Sequence, residues 1–159
     1  RVFASASSLR TRFDRCELTR TIFPLTPSRL LRCAELKGAA WDIEAVIRVG
    51  TVSPVLMSIG GDEYVYQPAS QMLSGPKGSM LIPLSDGQLH LRILVDRTTV
   101  EVFGDRGQAY GMFVRDNPGG NASLELRTWK LLSEPMQIEK LTVHSLRSIW
   151  STSPALTAG

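Results

Sequence analysis

Apolar and polar residues alternate most regularly over residues 88–103. Leu89, Leu91, Ile93 and Val95 fall on one parity, with Gln88, His90, Arg92 and Asp96 on the other. That is the period of a half-buried strand. After Asp96-Arg97-Thr98-Thr99 the alternation resumes, with Val100 and Val102 set against Glu101 and Phe103. A tight hairpin that pairs Val95 with Val100 also places Ile93 opposite Val102, so both strands share one apolar face. Leu94 then stands opposite Glu101, and Arg92 opposite Phe103.

The same reading extends along the chain. Residues 41–49 alternate cleanly, with Trp41, Ile43, Ala45, Ile47 and Val49 on one face. A strand at 55–59 is followed by a Gly60-Gly61-Asp62-Glu63 turn into 64–67. Residues 68–78 hold Pro68, Gly75, Pro76 and Gly78 and are expected to form a long loop. A short strand at 80–84 leads through Ser85-Asp86-Gly87 into the hairpin. Gly104-Asp105-Arg106-Gly107 forms the next turn, pairing Val102 with Ala109 and Glu101 with Tyr110. Segments 122–128 and 137–146 close the series, the former with Leu124 and Leu126 inward. Many short strands with turns every eight to twelve residues, and no long helical period, predict an all-β sandwich of two antiparallel sheets. No repeat of propeller-blade length occurs.

Two strings carry more than periodicity. Val95-Asp96-Arg97-Thr98-Thr99-Val100-Glu101-Val102-Phe103 closely resembles the signature of the C-terminal β-sandwich module of glycoside hydrolase family 32, the invertases, levanases and inulinases. Leu141-Thr142-Val143-His144-Ser145-Leu146-Arg147-Ser148-Ile149-Trp150 resembles that module's closing strand. Asp96, Arg97, Glu101, Phe103 and Trp150 are its structural signature here. The resemblance is strong over 41–150. It divides the chain into a basic linker with early strands (1–40), the sandwich (41–150) and a tail (151–159).

The resemblance implies a lectin-like pair of sheets with about six strands each. It also implies a parent β-fructofuranosidase acting on sucrose, levan or inulin, and favours a secreted protein. In that family the catalytic carboxylates belong to an N-terminal five-bladed propeller, within Trp-Met-Asn-Asp-Pro-Asn-Gly, Arg-Asp-Pro and Glu-Cys motifs. None of these strings occurs here: Arg115-Asp116-Asn117 lacks the proline, and Cys16-Glu17 reverses the Glu-Cys order. No catalytic residue is therefore assigned. The expected role is auxiliary, covering and stabilising the propeller, with oligomer contacts or extended substrate binding in some relatives.

A second role is an independent carbohydrate-binding, lectin-like module. Sugar rings stack on outward aromatics, and Tyr64, Tyr66 and Tyr110 are the candidates. Trp41 shares parity with the core, whereas Trp129 and Trp150 fit either core or interface. Asp62–Glu63 and Asp96–Glu101 are adjacent or near carboxylates, but turn carboxylates open to water are seldom split into acid and base.

Length and composition agree with one ordinary globular domain: 159 residues, 43% apolar and 21% charged. No apolar run reaches the length of a membrane span. The chain begins at Arg1 without a signal-peptide core and reads as a piece of a longer protein. Residues 1–34 hold seven arginines against Asp14 and Glu17. They lack the basic and aromatic stripe of nucleic-acid binders, so an acidic neighbour such as a partner domain is the expected contact. Cys16 and Cys33 are open to one bridge or two free thiols. Two histidines without ligand spacing argue against zinc, and no cofactor is expected. Asn121-Ala122-Ser123 is a glycosylation sequon whose meaning depends on the source.

Overall fold

A computed structural model describes residues 15–22, 31–33, 40–118, 123–128 and 136–146. The described residues form twelve strands. They are β1 (Arg15–Ile22), β2 (Leu31–Cys33), β3 (Ala40–Arg48), β4 (Val55–Ile59), β5 (Asp62–Gln67), β6 (Met72–Gly75), β7 (Gly78–Leu81), β8 (Gln88–Val95), β9 (Thr99–Gly104), β10 (Ala109–Val114), β11 (Leu124–Thr128) and β12 (Gln137–Leu146). One turn of 3-10 helix, Asp105–Gly107, lies between β9 and β10. The strands make two six-stranded antiparallel sheets, ordered β1-β12-β3-β8-β9-β10 and β2-β11-β4-β5-β6-β7. The expected early strands are the outermost strands of the two sheets, where β1 pairs with β12 and β2 with β11.

Alternation explains the packing. Trp41, Ile43, Ala45 and Ile47 of β3, with Leu89, Leu91, Ile93 and Val95 of β8, are buried between the sheets. They face Val55, Met57, Ile59, Leu124 and Leu126 of the second sheet, all within one core. The 88–103 hairpin has the anticipated register, with Val95 opposite Val100, Ile93 opposite Val102 and Arg92 opposite Phe103. Its turn is closed by the Asp96 amide donating to the Thr99 carbonyl at 2.9 Å. In β12 the period of two breaks between Ile138 and Lys140, where the register shifts. The irregularity at Glu139 allows Ile138, Leu141 and Val143 all to be buried.

Three expectations change. Residues 68–78 are not a loop: β6 and β7 pair Gly75 with Gly78, so Pro76 and Lys77 occupy a two-residue turn. Proline and glycine there mark the turn of a hairpin whose strands are too short to show alternation. The β4–β5 turn is also tighter than four residues, since Asp62 pairs with Ile59. Gly60 and Gly61 carry it with φ of 58° and 90°, a pair of left-handed values that side chains resist.

The third change concerns β9 and β10. Gly104 pairs with Ala109 and Val102 with Gly111, two positions from the expected register but on the same faces. Tyr110 therefore stands opposite Phe103, not Glu101. Gly104 stays in the strand because the second sheet comes so close there: a Cβ on it would lie 2.3 Å from Ile82 Cγ2. The turn falls one residue later, on Asp105, Arg106 and Gly107, all with positive φ.

Candidate functional site

The two sheets are locked at one end by a buried polar cluster. Arg115 follows β10 directly, and its side chain is 3% exposed against 1% for Asp62. Its Nε donates to Asp62 Oδ2 at 3.4 Å, Nη1 to the Asp96 carbonyl at 3.1 Å, and Nη2 to the Gly60 and Asn117 carbonyls at 3.3 and 3.1 Å. Asn117 completes the ring, its backbone and side-chain amides donating to Asp62 Oδ1 at 3.1 and 2.9 Å. The Arg115 amide donates to the Thr98 carbonyl at 2.8 Å. One guanidinium thus ties the β4–β5 turn of the second sheet to the β8–β9 turn of the first. Asp62 is no water-exposed turn carboxylate, as its sequence position suggested. It is a buried anion matched to a buried cation.

Tyr64 and Tyr66 do not face outward. They are 1% and 0% exposed and belong to the core. Asp62, Tyr64 and Tyr66 share the parity that points between the sheets, so neither ring can stack on a sugar. The Tyr66 hydroxyl donates to the Ile82 carbonyl at 2.9 Å, and Tyr64 meets Phe113 edge to face, with centroids 5.5 Å apart at 84°. Burial pushes the Tyr66 phenol up to about 12. It pushes Tyr64 further in the same direction, with the Asp62 charge adding to it. An unfolded tyrosine ionises near 10, so folding holds these protons more tightly than the unfolded chain does. Their contribution should be complete below pH 10 and decline as pH rises from 10 through 12. Urea midpoints between pH 8 and 12 should show that fall, and Tyr66→Phe should make it shallower.

Tyr110 is outward, 57% exposed, beside Met112 at 57% and Val114 at 48% on the same face of β10. Its ring tilts against Phe103 with centroids 5.1 Å apart. Asp96 and Arg97 occupy the hairpin turn, where Asp96 Oδ1 accepts the Arg97 amide at 2.7 Å. Glu101 and Phe103 are half-buried on the outer face of the first sheet. Trp150, Trp129 and the sequon at Asn121 lie outside the described residues, as does most of the basic arm. The backbones of Cys16 and Cys33 lie in different sheets, paired with Val143 and Leu124.

The outer face of the first sheet also carries a groove of about 410 Å3, to which Glu44, Val46, His90, Arg92, Phe103 and Lys140 contribute. Sequence reading did not find it, because its residues come from four strands. Its cause is local: β9 stops pairing with β8 at Leu91–Gly104, so His90 has no partner residue on β9. Arg92 donates to both carboxylate oxygens of Asp42, at 3.1 and 2.9 Å, which raises the guanidinium above its ordinary value and fixes its plane. Lys140 holds one oxygen of Glu44. His90 Nε2 is enclosed and has no hydrogen-bond partner among the described residues.

Two six-stranded antiparallel sheets packed face to face, with acidic groups tied into ion pairs, define a lectin-like β-sandwich module. Residues 15–111, more than half of the chain, match the family model described as glycosyl hydrolases family 32 C terminal, and the chain belongs to that family. It is 31% identical over 84 residues to a levanase of Bacillus subtilis (strain 168), covering 53% of this chain and 12% of that protein. Among solved structures it resembles a fructofuranosidase from Schwanniomyces occidentalis complexed with fructosylnystose, with a TM-score of 0.61 and 12% identity over 87% of this chain and 34% of that one. An exo-inulinase from Aspergillus awamori gives 0.57 at 14% identity, over 90% of this chain and 30% of that one. A galectin, LEC-6 of Caenorhabditis elegans, shares the fold over 94% of its own length, at 0.55 and 10% identity. This chain therefore spans about a third of each of the two enzymes and nearly the whole of a lectin.

Proposed function

We propose that this chain is a non-catalytic sandwich module that docks on, and stabilises, the catalytic propeller of a β-fructofuranosidase. The observation that carries this reading is how its carboxylates are held. A retaining glycosidase needs two carboxyl groups about 5–5.5 Å apart, one of them kept protonated by its surroundings. Here Asp42 faces Arg92, Glu44 faces Lys140, Asp62 faces Arg115, Glu63 faces Arg127 and Glu139 faces Arg48. Each of these five carboxylates is thus committed to an ion pair with a cation.

Docking is supported by the outward stripe Tyr110–Met112–Val114, a set of large apolar side chains left open on β10. Its proposed occupant is the remaining part of a longer chain, since the two enzymes of like fold are about three times as long. Incubated with sucrose or levan, the purified module should release no fructose. Release at an enzyme-like rate would end this reading. Added to a family 32 propeller that lacks its own sandwich, the module should co-elute and raise the propeller's melting temperature. Combined Tyr110→Asp, Met112→Asp and Val114→Asp should abolish both effects.

A further inference from the structure

We propose that the groove on the outer face of the first sheet is a binding site for a small organic anion, a molecule with one carboxylate on an apolar body. The site is separate from docking, which uses the β10 stripe. Charge is the first argument. Arg92, Arg106 and Lys140 line the groove against Glu44 as its one carboxylate. Lys140 holds Glu44, and Arg92 holds Asp42, which lies outside the lining. Arg106 makes no ion pair among the described residues. Even with Asp42 counted, one positive charge is left unmatched, and it is on Arg106.

The fold sets that charge in place against the preference of the backbone. β9 stops pairing with β8 at Leu91–Gly104, and the turn of Asp105, Arg106 and Gly107 lies against β8. Asp105 and Arg106 carry φ of 44° and 55°, left-handed values that residues with a Cβ resist. Strain of this kind clusters at binding sites and switch regions. Arg92 adds a second guanidinium, whose Nε and Nη2 are used on Asp42, leaving Nη1 as an oriented donor outside the pair. Guanidinium groups match the planar fork of a carboxylate. Val46, Leu94 and Phe103 form the apolar part of the lining, with Phe103 braced by Tyr110. The volume of about 410 Å3 lies near the lower end of the roughly 300–1,000 Å3 common for small-molecule pockets. A cation would meet Arg106 and find Glu44 already paired, and a neutral molecule would leave Arg106 unmatched. Phosphate, as a dianion, exceeds the single charge and offers Phe103 no apolar surface.

The test titrates the full chain with 2-naphthoate, with its neutral amide, with acetate and with inorganic phosphate, while backbone amide shifts are followed by NMR. Naphthoate should give saturable shifts at residues 90–92 and 103–107. The amide and acetate, which lack the charge and the apolar body in turn, should each bind at least about tenfold more weakly. Phosphate should not saturate. Added salt should weaken naphthoate binding, because Arg106 is exposed. Arg106→Gly removes the charge and suits the positive φ, so the turn keeps its shape while affinity falls about tenfold. Phe103→Ala should weaken binding by a similar factor. Arg127→Ala, on the opposite sheet, should leave it unchanged, and thermal melts verify that each variant is folded. The proposal is overturned by the absence of shifts with naphthoate, by shifts centred elsewhere, by equal affinity for the amide or for acetate, by saturation with phosphate, or by affinity that survives either groove substitution. None of those results bears on fructose release or docking.

Discussion

Arg115→Met should cost about 3–5 kcal/mol of folding stability, the usual penalty for removing one partner of a buried ion pair. For a domain of this size that corresponds to a fall of roughly 10 °C in Tm. The loss has two parts. Asp62, with a side chain 1% exposed, would be left without its cation in a dry site, with only the Asn117 amides as donors. The carbonyls of Gly60, Asp96 and Asn117 would also lose the guanidinium that serves all three. Urea unfolding of wild type and variant measures the difference. Adding Asp62→Leu to Arg115→Met should restore part of the stability, because the stranded anion is then gone. A single variant within 1 kcal/mol of wild type would show that the cluster does not lock the sheets.

Phe113→Ala should destabilise the module by about 3–5 kcal/mol, the range for emptying a buried phenylalanine site. Phe113 is the large inward side chain of β10, whose other inward positions are Ala109 and Gly111. Its ring fills the space where the two sheets approach at that edge. It meets Tyr64 edge to face and comes so near Gly75 that a Cβ there would lie 2.6 Å from its Cδ1. The strand backbones on both sides are fixed by pairing, so the cavity cannot collapse, which places the cost high in that range. Phe113→Leu should cost clearly less, since most of the volume remains. Equal midpoints for the two variants in urea would contradict this packing account.

The proposed roles differ in how much local pattern they leave in the chain. The hairpin at 88–103 was legible to the residue because both strands alternate without interruption, and a one-residue slip would bury Arg92 and Glu101. The 68–78 segment was misread because four-residue strands show too little alternation to outweigh Pro68, Pro76 and their neighbouring glycines. Tyr64 and Tyr66 face inward, against the expectation of outward rings; Asp62 shares their parity, and Arg115 continues the inward parity of Gly111 and Phe113. Two opposite charges on core-facing positions were the available signal for the buried pair. Reading it required knowing that the two strands end side by side, although 53 residues separate them in sequence.

By itself the sequence determined the sandwich, the family, and which face of each long strand is apolar. These follow from side-chain periodicity and short strings, which are properties of neighbouring residues. Only the tertiary structure decided that Gly104 must admit Ile82, that Arg115 clamps both sheets, and that Phe103 walls a groove. Those depend on distances between strands remote in the chain, set by how two twisted sheets fit together and not by any local preference.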